Sequence, residues 1–61
     1  MAEKLLFIND VAERLNRSAN QVRWMIQTGE APRHAKIAGR ICFRESDVER
    51  FIEDAFARAA S

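Results

Sequence analysis

Cysteine and histidine each occur once in this chain, and the scarcity of both excludes a good deal. Cys42 has no partner for an internal disulfide, the condition expected of a protein in a reducing cytoplasm. His34 has no Cys/His cluster around it and no His-Glu-x-x-His pattern, so neither a metal set nor a general-base arrangement is expected. There is no phosphate-binding loop, no internal repeat, no linker and no low-complexity segment. No apolar run approaches the roughly 20 residues a membrane span requires. The opening stretch, Met1 to Ile8, is too short and too acidic for a signal peptide. The expectation is a non-enzymatic protein without cofactor, metal, membrane or small-molecule ligand.

What is present fits one small domain spanning residues 1–61. A chain this short buries only about 60% of its unfolded surface, which leaves no room for a spacious catalytic cleft. With 48% hydrophobic and 31% charged residues, the composition is that of a globular domain rather than a disordered tail. The net charge of +1 hides an uneven layout. Arg17, Arg23, Arg33, Lys36, Arg40 and Arg44 face Glu30 alone in the middle of the chain, while both flanks are acidic. Such clustering is the electrostatic footprint of a polyanion partner. The plainer alternative is that these cations scatter over the surface.

The stretch from Ser18 to Gly29 reads as a helix with two faces. Ser18 with Gln21 forms a capping box, and Gly29 supplies the left-handed residue that ends a helix. Val22, Met25 and Ile26 fall on one apolar stripe. Asn20, Gln21, Arg23, Trp24 and Gln27 fall on the other side. Asn and Gln can pair with adenine and Arg with guanine in the major groove. Ahead of it, Val11, Ala12 and Leu15 give a first helix an apolar stripe. Asn9 or Asp10 opens that helix, as cap or as first-turn acid. Asn16 ends it, because Asn tolerates the left-handed conformation. Two helices joined by so tight a turn make a helix-turn-helix. Leu5 to Ile8 is an edge strand or an extended lead-in.

Beyond Gly29, Pro32 forbids continuing the helix. Lys36-Ile37 and Ile41-Cys42-Phe43 read as short strands around a turn at Ala38-Gly39, whose type stays open because Ala-Gly is not a strong hairpin pair. Ile41 and Phe43 point to one face and Cys42 to the other. This basic hairpin is a wing. Ser46-Asp47-Val48-Glu49 is a second capping box. Val48, Phe51, Ile52, Ala55, Phe56 and Ala59 then form a helical stripe expected to close the core over the first two helices. The fold class is mainly α with a small β-hairpin, a winged helix-turn-helix.

This order of elements resembles the excisionase family, small MerR-like winged-helix proteins also called recombination directionality factors, and most of all those of temperate phages, mycobacteriophages among them. The resemblance runs from about residue 5 to 56 and rests on Val11-Ala12 with Leu15, Ser18 to Glu30, Gly39-Arg40 and Phe43 through Phe51. It implies architectural work in site-specific recombination. Family members bind attachment-site DNA beside a phage integrase in the host cytoplasm, on the nucleoid, often as cooperating copies. They bend the DNA and direct the integrase toward excision without cutting it. Several residues depart from the family pattern. Phe7 stands where a capping Thr is common, so the cap is expected at Asn9 and the first helix late. Asn16-Arg17 replaces a common Gly-Val. Met25 stands where relatives carry a core Trp, with Trp24 one place earlier on the outward face.

The candidate contacts follow from these elements. Asn20, Gln21 and Arg23 would read bases; the plainer reading is a solvated helix face. Arg17 and Ser18 suit phosphate. Lys36, Gly39 and Arg40 form the wing contact, on the backbone or in the minor groove with Arg40 leading; a charged edge strand that discourages aggregation is compatible with this. Trp24 packs against sugar-phosphate, a neighbouring copy or the wing, or else is shielded by the third helix or the lead-in. His34 is expected at the surface or on a phosphate, and Cys42 as a small strand residue. Glu49, Glu53 and Asp54 form a solvated acidic face or a contact between copies. A small MerR-like transcription regulator and a protein-docking module remain as other classes.

Overall fold

The first helix, α1, starts earlier than expected. In the computed structural model, which describes residues 4–60, α1 spans Ile8–Leu15 with extended Phe7 at its cap position. Phe7 has no side-chain oxygen to offer. The cap is made from inside instead, by the Asp10 carboxylate, which accepts the Phe7 N–H at 2.9 Å. This is the half of a capping box that does not depend on the cap residue's own side chain. Asn9 is therefore a first-turn residue and not the cap. The end of α1 follows expectation. Asn16 is left-handed with φ 57°, and its N–H and that of Arg17 donate to the carbonyls of Glu13 at 3.1 Å and Ala12 at 2.8 Å.

The second helix, α2, spans Ala19–Thr28 between the expected caps. Ser18 Oγ accepts the Gln21 N–H at 3.2 Å; this half of the capping box suffices. Gly29 adopts φ 77°, and its N–H and that of Glu30 donate to the carbonyls of Ile26 at 3.3 Å and Met25 at 2.8 Å.

Three strands form one antiparallel sheet. They are β1 (Leu5–Leu6), β2 (His34–Ile37) and β3 (Arg40–Arg44), in the order β1-β3-β2. The lead-in is thus an edge strand, pairing Leu5 with Arg44 and Leu6 with Phe43. In the β2–β3 hairpin Ile37 pairs with Arg40, leaving a two-residue loop. Both loop residues have positive φ, 51° at Ala38 and 79° at Gly39, which defines a type I′ turn. Ala38 carries the cost of a left-handed non-glycine residue, about 1–2 kcal/mol. Ala38→Asn, which tolerates this conformation and creates the favoured Asn-Gly pair, is expected to stabilise the domain by about 0.5–1 kcal/mol. A melting curve would register this as a rise of roughly 3–6 °C.

Leu6, Val11, Ala12, Val22, Phe43 and Val48 form the buried core, with Ile8, Leu15, Ile26, Ile41 and Ile52 packed against it. Cys42 points to the opposite face of the sheet, as strand alternation requires. It is nonetheless buried beside its cross-strand neighbour Ala35, and its thiol donates to the Arg40 carbonyl at 3.4 Å.

The third helix, α3, spans Glu45–Ala60 and follows β3 without a loop. Ser46 lies within it, one residue past its first, rather than at the cap position where the sequence put it. The start of α3 is fixed from elsewhere. The Glu45 N–H donates to the Lys4 carbonyl at 3.1 Å, the Glu45 carboxylate pairs with Arg14, and Arg44 Nε donates to Asp47 Oδ2 at 2.8 Å. Val48 is buried and Phe51 and Ile52 are half-buried, but Ala55, Phe56 and Ala59 are exposed. The helix therefore closes the core with its first two turns only, and the rest of the expected stripe lies open.

Candidate nucleic-acid interface

At 100° per residue, Asn20, Trp24 and Gln27 occupy the centre of the outward face of α2, opposite Val22. Trp24 is 59% exposed, which removes shielding by α3 or the lead-in as its role. Gln27 shares this face with Asn20, although only its general side was legible from the sequence. Gln21 and Arg23 flank the face on opposite sides, and both are exposed.

Arg23 leans toward the wing. Its Nη1 donates to Asn20 Oδ1 at 3.1 Å, so the two side chains are held as a unit. The amide oxygen of Asn20 has a second lone pair and its NH₂ is uncommitted, so pairing with adenine remains open to it. At the start of α2, Ser18 is exposed, as is Arg17, whose side chain makes no ion pair among the described residues. No acidic residue lies in the first turn of α2. The positive end of this helix is therefore not neutralised and favours an anion.

The wing and α2 meet in an open cleft of about 360 Å³, lined by Phe7, Ile8, Asn9, Arg23, Lys36, Gly39, Arg40 and Ile41. It brings Arg23, Lys36, Gly39 and Arg40 together from two elements. Arg17 and Ser18 stand outside it, at the far end of α2. Phe7 and Asn9 were not expected in the site. Their presence depends on where α1 begins, and Asp10 sets that start as the first-turn acid that the sequence offered.

The basic segment of the sequence does not form a single surface. Arg33 and Arg44 lie along a second groove, of about 300 Å³, with Leu5, His34, Ala35, Ile37, Cys42 and Asp47. Strand alternation puts Ala35, Ile37 and Cys42 on the face opposite Lys36 and Ile41, and Arg40, paired with Ile37, starts from that face beside the turn, from which its guanidinium reaches Phe7. Arg44 is moreover tied to Asp47. His34 is exposed, at the surface as expected, and also braces the sheet. Its Nδ1–H donates to the Pro32 carbonyl at 2.9 Å, and its ring lies 5.3 Å from that of Phe43. The candidate surface is therefore the helix face together with the cleft, a smaller area than the charge pattern suggested.

A helix-turn-helix with a basic β-hairpin beside its second helix is a winged helix-turn-helix, and the class is DNA-binding. The family model for the helix-turn-helix domain matches residues 5–55, and the chain belongs to that family, which includes excisionase-like DNA-binding proteins. No curated protein and no solved structure shows a significant match to the chain. Among the described residues, no helix is long and apolar enough to cross a membrane, and no group of His, Cys, Asp and Glu could hold a metal ion.

Proposed function

We propose that this protein is a phage excisionase, a non-catalytic DNA-bending factor that binds attachment-site DNA and directs an integrase toward excision. The observation that carries its DNA-contacting part is the cleft that joins Arg23 of α2 to Lys36 and Arg40 of the wing. With α2 in the major groove, this junction puts the wing on the adjacent backbone or minor groove. Asn20, Gln21 and Arg23 read base edges, Trp24 adds apolar contact within the groove, and Arg17 and Ser18 hold phosphate at the start of α2. A domain that grips two adjacent parts of the duplex gains contacts when the DNA curves toward it, and those contacts offset the cost of deformation.

The excisionase role itself is supported by the order of motifs along the chain, from the helix-turn-helix through Gly39-Arg40 to Phe43-Arg44-Glu45-Ser46-Asp47-Val48. Cooperation between copies is supported by the open apolar half of α3, with Phe56 71% exposed, beside the carboxylates Glu53 and Asp54.

Gel shifts against fragments tiling the source genome, attachment region included, at two salt concentrations test this reading. The expected result is a ladder of bands confined to the attachment region and weakened by salt, with circular-permutation mobility showing bent DNA in the saturated complexes. A shift confined to a promoter would instead identify a transcription regulator with the same contacts. The absence of any shift at low salt would end the helix-in-groove reading.

A further inference from the structure

At the cap position of α1, Phe7 lies against a side chain of the wing. The guanidinium carbon of Arg40 lies 4.0 Å from the centroid of the Phe7 ring, well inside cation–π range. Phe7 is itself firmly placed. Its N–H donates to Asp10 at 2.9 Å, its carbonyl accepts the Val11 N–H at 3.0 Å, and its ring is half-buried. An aromatic side chain fixed by α1 thus grips a long and flexible side chain at the tip of the wing.

The grip leaves the donors of Arg40 available. The ring covers one face of the guanidinium, whereas its N–H groups lie in the guanidinium plane. Neither Arg40 nor Lys36 is in an ion pair with a carboxylate among the described residues. Lys36 and Gly39 line the same cleft, and nothing stands within 4 Å of the position a Cβ would take on Gly39. The approach is open to a backbone, and the ligand that suits a planar fork of N–H donors beside an ammonium is a phosphodiester.

We propose that Phe7 is a positioning residue for DNA, holding Arg40 beside Lys36 as a seat for one backbone phosphodiester of the bound duplex. The inference rests on the DNA-binding reading above and assigns Arg40 to the backbone rather than to the minor groove. Released from the ring, the flexible Arg40 side chain does not hold the seat, so the grip acts through the making of that one phosphate contact.

The test is anisotropy of a fluorescein-labelled mixed-sequence duplex titrated with the full chain across a salt series. Phe7→Leu keeps apolar bulk at the cap and removes the π face. It is expected to weaken binding about three- to tenfold and to make the salt slope shallower by about 0.9, the loss of one phosphate contact. Phe7→Tyr is expected to retain both affinity and slope. In an Arg40→Ala background, Phe7→Leu is expected to add nothing. A Phe7 that served only folding would lower the melting temperature and leave the slope alone. In the free protein, the Arg40 side-chain protons are expected to be shifted upfield by the ring, and that shift to vanish in Phe7→Leu. An unchanged slope in Phe7→Leu, or an effect that adds in full to Arg40→Ala, overturns the grip while Lys36→Ala still reports DNA binding. If the unsubstituted protein shows no salt-dependent binding, the DNA-binding reading fails and the seat fails with it.

Discussion

Arg23→Ala is expected to lower affinity for the specific site by roughly 10- to 100-fold, the cost of losing a bidentate base contact. Arg23 joins the two halves of the interface. It extends from the recognition face into the cleft beside the wing, and its Nη1 is bonded to Asn20. Removing it deletes a donor fork and releases Asn20 from the only side chain that orients it among the described residues. The loss is therefore expected to be larger on the specific site than on a mixed-sequence duplex, where only the positive charge counts. Melting temperature should hardly move, because Arg23 is exposed and substitutions at such positions usually stay within about 0.5 kcal/mol. Arg50→Ala, a cation on α3 outside the cleft, is the control and should leave affinity within about twofold, in line with the small effect of a distant surface charge. Equal losses for Arg23→Ala on specific and mixed DNA would reassign Arg23 from base reading to phosphate binding.

Phe43→Ala is expected to unfold most of the protein at 37 °C. Phe43 is fully buried at 0% exposure on the central strand, between Leu6 of β1 and His34 of β2. Buried Phe-to-Ala substitutions cost about 3–5 kcal/mol. At about 0.05–0.15 kcal/mol per residue, a domain of this size has little more than that to lose. Thermal unfolding followed by circular dichroism should show a midpoint lower by about 15 °C or more. Phe56→Ala provides the contrast with the same residue type. Phe56 is 71% exposed, and its removal should leave the midpoint almost unchanged. A small shift in Phe43→Ala would mean that the core does not centre on β3.

The elements whose limits are set by a nearby side chain or a glycine were legible in the sequence. Ser18 and Gly29 fix both ends of α2, and Asn16 fixes the end of α1. Where the determinant is a distant partner, the sequence misled. The start of α3 depends on Lys4 and Arg14, far away in the chain, so Ser46 looked like a cap and is not one. At Phe7 the cap residue lacks an oxygen, and Asp10 does the work from inside the helix. The turn type was open because Ala38 is a poor residue for it, and only the pairing on both sides forces its positive φ. The same division runs through the interface. The outward set on α2 follows from helical period alone. The meeting of Arg23 with Lys36 and Arg40, and the place of Phe7 and Asn9 beside them, arises only when the wing folds against α1. Charge counted along the chain also overstated the surface, since Arg33 and Arg44 turn away from the cleft.

The pairing of Leu5 with Arg44 bears on the order in which the molecule assembles. The α1–α2 pair and the β2–β3 hairpin each form between neighbouring stretches of chain. β1 can add only after both have docked, and the entropy of closing so long a loop falls on that step. The backbone pairing of a two-residue strand returns little for it and the burial of Leu6 returns more, so β1 is expected to form late. Phe7 follows directly, and it joins β1 to the start of α1, where Asp10 and Val11 hold its backbone. The wing is thereby braced from the opposite end of the chain. Substitutions in β1 are therefore expected to act on the wing, and on the DNA affinity proposed for it, from outside the cleft.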